Sequence, residues 1–188
     1  NAALDYQPPT KMGQENVSAG ISSGNITMKL GQGWTLDIIQ TMHTETIGDT
    51  MYLCYTDGDG TKHYFVKDDK KNNADDSNKT FYYDEDGLGL KAEITNTQKT
   101  NFIMYDDSGN RWTFINGRLN NISDESGYFY SITYDRNNKI SAVGQVNANV
   151  GVTIVATFAY SGDYVSTITD AAGNIYSFNY TDGKLTGI

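Results

Sequence analysis

Few side chains in this sequence can carry chemistry near neutral pH. His43 and His63 are the only groups whose ordinary pKa falls there, and Cys54 is the single thiol. His43 sits in Thr-Met-His-Thr-Glu with no recognisable partner. His63, three residues past Gly60, stands where Tyr or Trp stands in later segments, so it reads as a sheet-face residue packed among aromatics. Cys54 lies in the apolar run from Met51 to Tyr55, which suits a small core residue better than a nucleophile. One cysteine forms no internal disulfide, and with two histidines it builds an ordinary zinc site only if carboxylates supply the rest. Serines are numerous, yet no Gly-x-Ser-x-Gly elbow is present. The sequence therefore assigns no catalytic residue, no metal ligand and no cofactor.

Carboxylates cluster at Asp57/Asp59, Asp84/Glu85/Asp86, Asp106/Asp107 and Asp124/Glu125. A glycosidase needs two of them on opposite sides of a sugar at a defined separation, whereas these stand at the openings of turns, which already accounts for them. Calcium is the better alternative use of such acids. Asp57-x-Asp59 begins like an EF-hand loop, but Lys62 stands where that loop needs Gly and Asp68 where it needs Glu. Trp34, Trp112 and the tyrosines offer flat faces on which sugar rings stack. Their competing use is cross-strand pairing within a sheet.

The positions of these residues depend on the surrounding pattern. The 188 residues include 14 Tyr and 19 Gly but 2 Pro, a mixture that favours sheet and tight turns. With 14 basic against 23 acidic residues the formal charge is -9, and no basic cluster exists to neutralise phosphate or anionic lipid. Nucleic acid is excluded as a partner on that ground. The longest apolar stretch, Val150 to Ala159, is interrupted by Gly151, Thr153 and Thr157 and is about half what a spanning helix requires, so no membrane insertion is expected.

Apolar and polar residues alternate over short runs, and Gly-containing turns interrupt them at short intervals, which predicts an all-β chain. Residues 1–29 read as an extended lead-in, residues 30–104 as a β-sheet region, and residues 105–188 as about four similar hairpins. Asp68 to Lys79 (DDKKNNADDSNK) has almost nothing to bury and is expected to form a mobile surface loop.

The hairpins carry the clearest internal repetition. Asp170-Ala-Ala-Gly173 leads to Tyr176, Phe178 and Tyr180. Asp124-Glu-Ser-Gly127 leads to Tyr130, Ile132 and Tyr134, and Asp106-Asp-Ser-Gly109 to Trp112 and Phe114. A copy without its opening turn keeps Phe158 and Tyr160. Each closes on a pair of aliphatics, at 119/122, 140/143, 165/168 and 185/188. Asp at the first and Gly at the fourth position suit a type I turn, and alternate residues beyond it share one strand face. A lone hairpin is marginal in water, so successive hairpins are expected to pair edge to edge as an antiparallel meander, an elongated or curved strip.

The pattern Asp-x-x-Gly-x-x-Tyr-x-Phe/Ile-x-Tyr followed by Leu-x-x-Ile resembles the YD repeat of the rearrangement-hotspot (RHS) family. The phrases Leu30-Gly-Gln-Gly-Trp34-Thr-Leu36, Tyr55 to Phe65 and Tyr83 to Leu90 resemble the stretch that precedes such repeats in large surface proteins of Gram-positive bacteria. The resemblance implies a secreted or cell-wall protein in which many repeats spiral into a shell around another domain, or act in adhesion. About four repeats do not close a shell. The chain, which starts without Met and ends inside the pattern, is thus expected to be a piece whose partner is the remainder of its own polypeptide. The runner-up expectation is a module binding cell-wall or host glycan through Trp34 and Trp112.

Overall fold

A computed structural model describes residues 25–74, 78–147 and 149–188. The first 24 residues of the expected lead-in and residues 75–77 of the expected loop lie outside them. Period-two alternation carries directly into strands. Strand β1 covers Thr41–Ile47, β2 Thr50–Thr56, β3 Lys62–Lys67, β4 Lys79–Asp84 and β5 Lys91–Thr95. They are followed by β6 (Gln98–Tyr105), β7 (Arg111–Ile115), β8 (Arg118–Ser123), β9 (Phe129–Tyr134) and β10 (Ile140–Asn147). The last are β11 (Gly151–Ser161), β12 (Tyr164–Asp170), β13 (Ile175–Ser177), β14 (Asn179–Thr181) and β15 (Lys184–Gly187). On β5 the buried residues are Ala92 and Ile94, and on β6 they are Phe102 and Met104, because successive side chains leave opposite faces of a strand.

From β1 to β13 each strand pairs antiparallel with the next in sequence. The order is that of a meander, but the expected open strip is corrected in one respect: β1 also pairs with β8. The amide of Met42 donates to the carbonyl of Gly117 at 2.9 Å and that of Leu119 to Gln40 at 3.0 Å. Eight strands thereby close into a barrel. Strand β8 serves two neighbours, its first half meeting β1 and its second half, Asn121 to Ser123, meeting β9. The remaining strands run on from this junction, ending in the separate β14–β15 pair. Closure hides the backbone edge that a curled strip would expose. Its interior is packed with Met42, Leu53, Phe65, Phe102, Phe114 and Leu119, none more than 1% exposed. Burying each such side chain contributes about 1.5–3 kcal/mol.

Two further segments pack against the sheet. The polar segment after β3 begins with a short helix, α1 (Asp69–Ala74). Asp68 caps it by accepting the Lys71 amide at 3.0 Å. The Asn72 amide group bonds both the carbonyl and the amide of Phe81, and Lys71 Nζ lies 4.0 Å from the Phe81 ring centroid. Lys71 and Asn72 thus cover an apolar side chain on the outer face of β4, a contact that local composition does not reveal. The other is residues 25–36, which run across the hairpin ends as a strap. Thr27 bonds the carbonyls of Asn137 and Asn138, Lys29 bonds Asp163 and Val165, and Gln32 bonds Gly183. Met28, Leu30 and Leu36 are buried in the core.

Candidate functional site

The Asp residues of the repeated segments act as turn acceptors. One Oδ1 accepts the amides two and four residues on: Ser108 and Asn110 for Asp106, Ala172 and Asn174 for Asp170. Asp57 and Asp135 do the same, and Asp124 accepts from Tyr128. The fourth residue is left-handed in every case, at Gly60, Gly109, Gly127, Asn138 and Gly173. Bonds from the Asn110 and Asn174 side chains hold the Asp106 and Asp170 carboxyls below the usual range. Asp84 differs. It is buried, accepts the amides of Leu88 and Leu90, and opens a wider loop.

Beyond each turn the aromatic positions have graded exposure. Tyr130 and Tyr176 are half exposed, Ile132, Phe114 and Phe178 are buried, and Tyr134 and Tyr180 are partly buried. The three aromatics expected side by side on one strand are split, since β13 ends before Phe178, whose amide bonds Ser166. The last tyrosine of each segment makes a contact that sequence reading missed. Tyr134 Oη donates to the Leu119 carbonyl at 2.7 Å, Tyr160 Oη to Ile140 at 2.6 Å, and Tyr180 Oη to Val165 at 2.8 Å. Each carbonyl belongs to the first closing aliphatic of the preceding segment, itself fully buried. The residue just before that aliphatic covers the ring. Arg118 lies 4.3 Å from the Tyr134 centroid, Lys139 Nζ 5.4 Å from that of Tyr160, and the Tyr164 ring 4.9 Å from that of Tyr180. The available signal was positional: 118, 139 and 164 all directly precede a closing aliphatic.

Removing one hydroxyl should be measurable. Tyr134→Phe, Tyr160→Phe and Tyr180→Phe are each expected to cost about 1–2 kcal/mol, because a partly buried carbonyl loses its donor. Urea unfolding of the three variants checks this, and a cost near zero at all three would mean the hydroxyls hold nothing.

Burial also pushes the phenols of Tyr55, Tyr134 and Tyr160 well above their ordinary value and that of Tyr64 up to about 12. The folded chain therefore keeps protons that the unfolded chain releases above pH about 10. This stabilisation is fully present below that pH and is lost as pH rises toward the folded-state values. Melting temperature should stay level up to pH about 9 and fall above about 10, with phenolate absorbance from these residues appearing only on unfolding.

Trp34 and Trp112, the expected stacking platforms, are half-buried and pack against the core. Trp112 shares the inward face of β7 with Phe114 and pairs with Met104. The more open aromatics are Tyr128 and Tyr130, which line a shallow groove of about 330 Å³ with Asn110, Asp124 and Gln145.

The two histidines lie in different places. His63 stacks on Tyr55 at 5.7 Å, and its Nε2 is 2.8 Å from Asp57 Oδ2, a sheet-face placement among aromatics as read from the sequence. His43, read as lacking a partner, has Nε2 3.2 Å from Glu45 Oε2. Register explains the miss: His43 pairs with Cys54 across β1 and β2, and Cys54 with Tyr64 across β2 and β3. Glu45 is on the same face, accepting from Tyr64 Oη at 3.4 Å. Donor atoms of His43, Glu45 and Cys54 all lie within 4.8 Å of one another. Burial, with the Glu45 charge beside it, pushes the Cys54 thiol up to about 12, which keeps it from acting as a thiolate nucleophile near neutral pH.

No protein-family model matches the chain, and comparison with curated proteins finds no match.

Proposed function

We propose that this chain is a non-enzymatic structural segment of a large bacterial surface or secreted YD-repeat protein. It contributes to a β-sheet shell or stalk that encloses or presents another domain. The observation that supports this reading is the tyrosine contact between consecutive segments, Leu119 to Tyr134, Ile140 to Tyr160 and Val165 to Tyr180. Each hairpin is seated on the one before it, the nearest-neighbour logic by which modules add in a line. In this reading the barrel is a closed first block from which the strip grows. Lys184 and Leu185 stand on β15 as Arg118 and Leu119 stand on β8.

Immunoblotting wall, medium and cytosol fractions of the source cells with antibody to this chain tests the reading. A band several times larger than 20.8 kDa in wall or medium is expected. A band near that mass would overturn it.

The groove at Tyr128 and Tyr130 favours a second reading, an adhesin-like carbohydrate-binding module. Two open phenol faces beside amide and carboxylate groups suit a sugar ring, which offers both C-H and hydroxyl surfaces. Retention on insoluble cell-wall polysaccharide, abolished in Tyr128→Ala/Tyr130→Ala, would establish it. Equal retention of both proteins would count against it.

A further inference from the structure

We propose that His43, Glu45 and Cys54 form a site for one zinc-like divalent cation on the outer face of the β1–β2 hairpin. The three offer an imidazole nitrogen, a carboxylate oxygen and a thiol sulfur, all within 4.8 Å of one another. Strand pairing sets this arrangement, with His43 opposite Cys54 and Glu45 two residues along the same face. Zinc bonds of about 2.0–2.3 Å place such donors roughly 3–4 Å apart, so side-chain rotation on a fixed sheet closes the site. The sulfur and nitrogen donors select a borderline-soft ion. Calcium and magnesium, which take oxygen ligands, fit this donor set poorly.

Charge and access both suit a dication. On binding, the Cys54 sulfur forms a bond to the metal and its proton leaves to water. Thiolate and carboxylate then balance the two positive charges while His43 binds as neutral imidazole. Cys54 is fully buried, whereas the His43 and Glu45 side chains are about 30% exposed and leave a route from solvent. Tyr64 Oη, 3.4 Å from Glu45 Oε1, orients the carboxylate, and Tyr52 pairs opposite Glu45. Lys62 Nζ, 3.9 Å from Glu45 Oε2, is the charge the ion displaces, and its half-exposed side chain can turn to solvent. Water fills the remaining position of the tetrahedron.

Cobalt(II) titrated into the full chain gives the test, because thiolate ligation to cobalt produces a near-ultraviolet charge-transfer band. One ion per chain with that band is expected, and zinc should displace it. Cys54→Ala should abolish the band, and His43→Gln should weaken zinc binding by about 10–100-fold or more, both with unchanged circular dichroism. A wild-type spectrum without the sulfur band overturns the site. So does zinc affinity that is unchanged in His43→Gln, since the ion would then sit at the acidic turns only. If Cys54→Ala does not fold, the wild-type spectrum and the His43→Gln variant still decide.

Discussion

Leu119→Ala is expected to destabilise the whole chain by about 2–5 kcal/mol, the range for emptying a fully buried leucine site. Leu119 is fully buried and pairs with Phe114 on β7. Its amide donates to Gln40 where the barrel closes, and its carbonyl accepts the Tyr134 hydroxyl where the strip begins. The backbone of this one residue therefore serves both parts of the fold, and its side chain fills the core beside them. The core cluster is also continuous from Met42 in β1 to Phe178 beyond β13, so barrel and strip should unfold in a single transition. The check is urea unfolding followed by both tryptophan fluorescence and far-ultraviolet circular dichroism. The midpoint should fall with an unchanged slope. Exposed Ile115, close by on β7, provides the comparison, and Ile115→Ala should change stability by no more than about 0.5 kcal/mol. Similar costs at the two positions would mean that the closure is not held there.

Gly31→Ala should release the strap from the last hairpin. Gly31 has φ +93°, a backbone conformation unfavourable to any residue with a Cβ, and a Cβ there would lie 2.8 Å from the backbone nitrogen of Leu185. The left-handed backbone costs about 1–3 kcal/mol, and the overlap with main chain adds about 1–3 kcal/mol because backbone does not give way cheaply. Gly173→Ala separates the two effects. That residue has φ +86° but nothing within 4 Å of its would-be Cβ, so it carries the backbone cost alone. Faster exchange of the Gln32 amide, which donates to the Gly183 carbonyl, in Gly31→Ala and not in Gly173→Ala is the expected signature. Equal exchange in both variants would show that the close approach does not fasten the strap.

Much of the local structure was legible in the residues. Asp at the first and Gly at the fourth position set the turns at 57, 106, 124 and 170, because one carboxylate oxygen can accept two nearby amides and Gly tolerates positive φ. Alternation placed Trp112 with Phe114 and Ile132 with Tyr134 on one strand face, since side-chain direction follows from the strand itself, whereas Phe178 lies beyond the end of β13. The buried setting of Cys54 and the aromatic setting of His63 were readable from their neighbours in sequence. These are short-range matters, decided within a few residues.

Closure of the barrel was not legible. An open strip and a closed barrel have the same alternation, and the choice between them rests on accumulated twist that brings Thr41 beside Arg118. The ordered start of the 68–79 segment follows from Phe81, nine residues beyond Asn72. The meeting of His43 and Glu45 with Cys54 depends on a hairpin register that composition leaves open. Likewise, a tyrosine's choice of carbonyl 15 or 20 residues back requires three strands to be stacked first. The all-β character and the turns were thus readable from the residues, because they arise from backbone geometry and side chains acting locally. Which edges close, which polar groups meet and what the strap fastens emerge with the folded chain, because those contacts join residues whose separation in sequence carries no local signal.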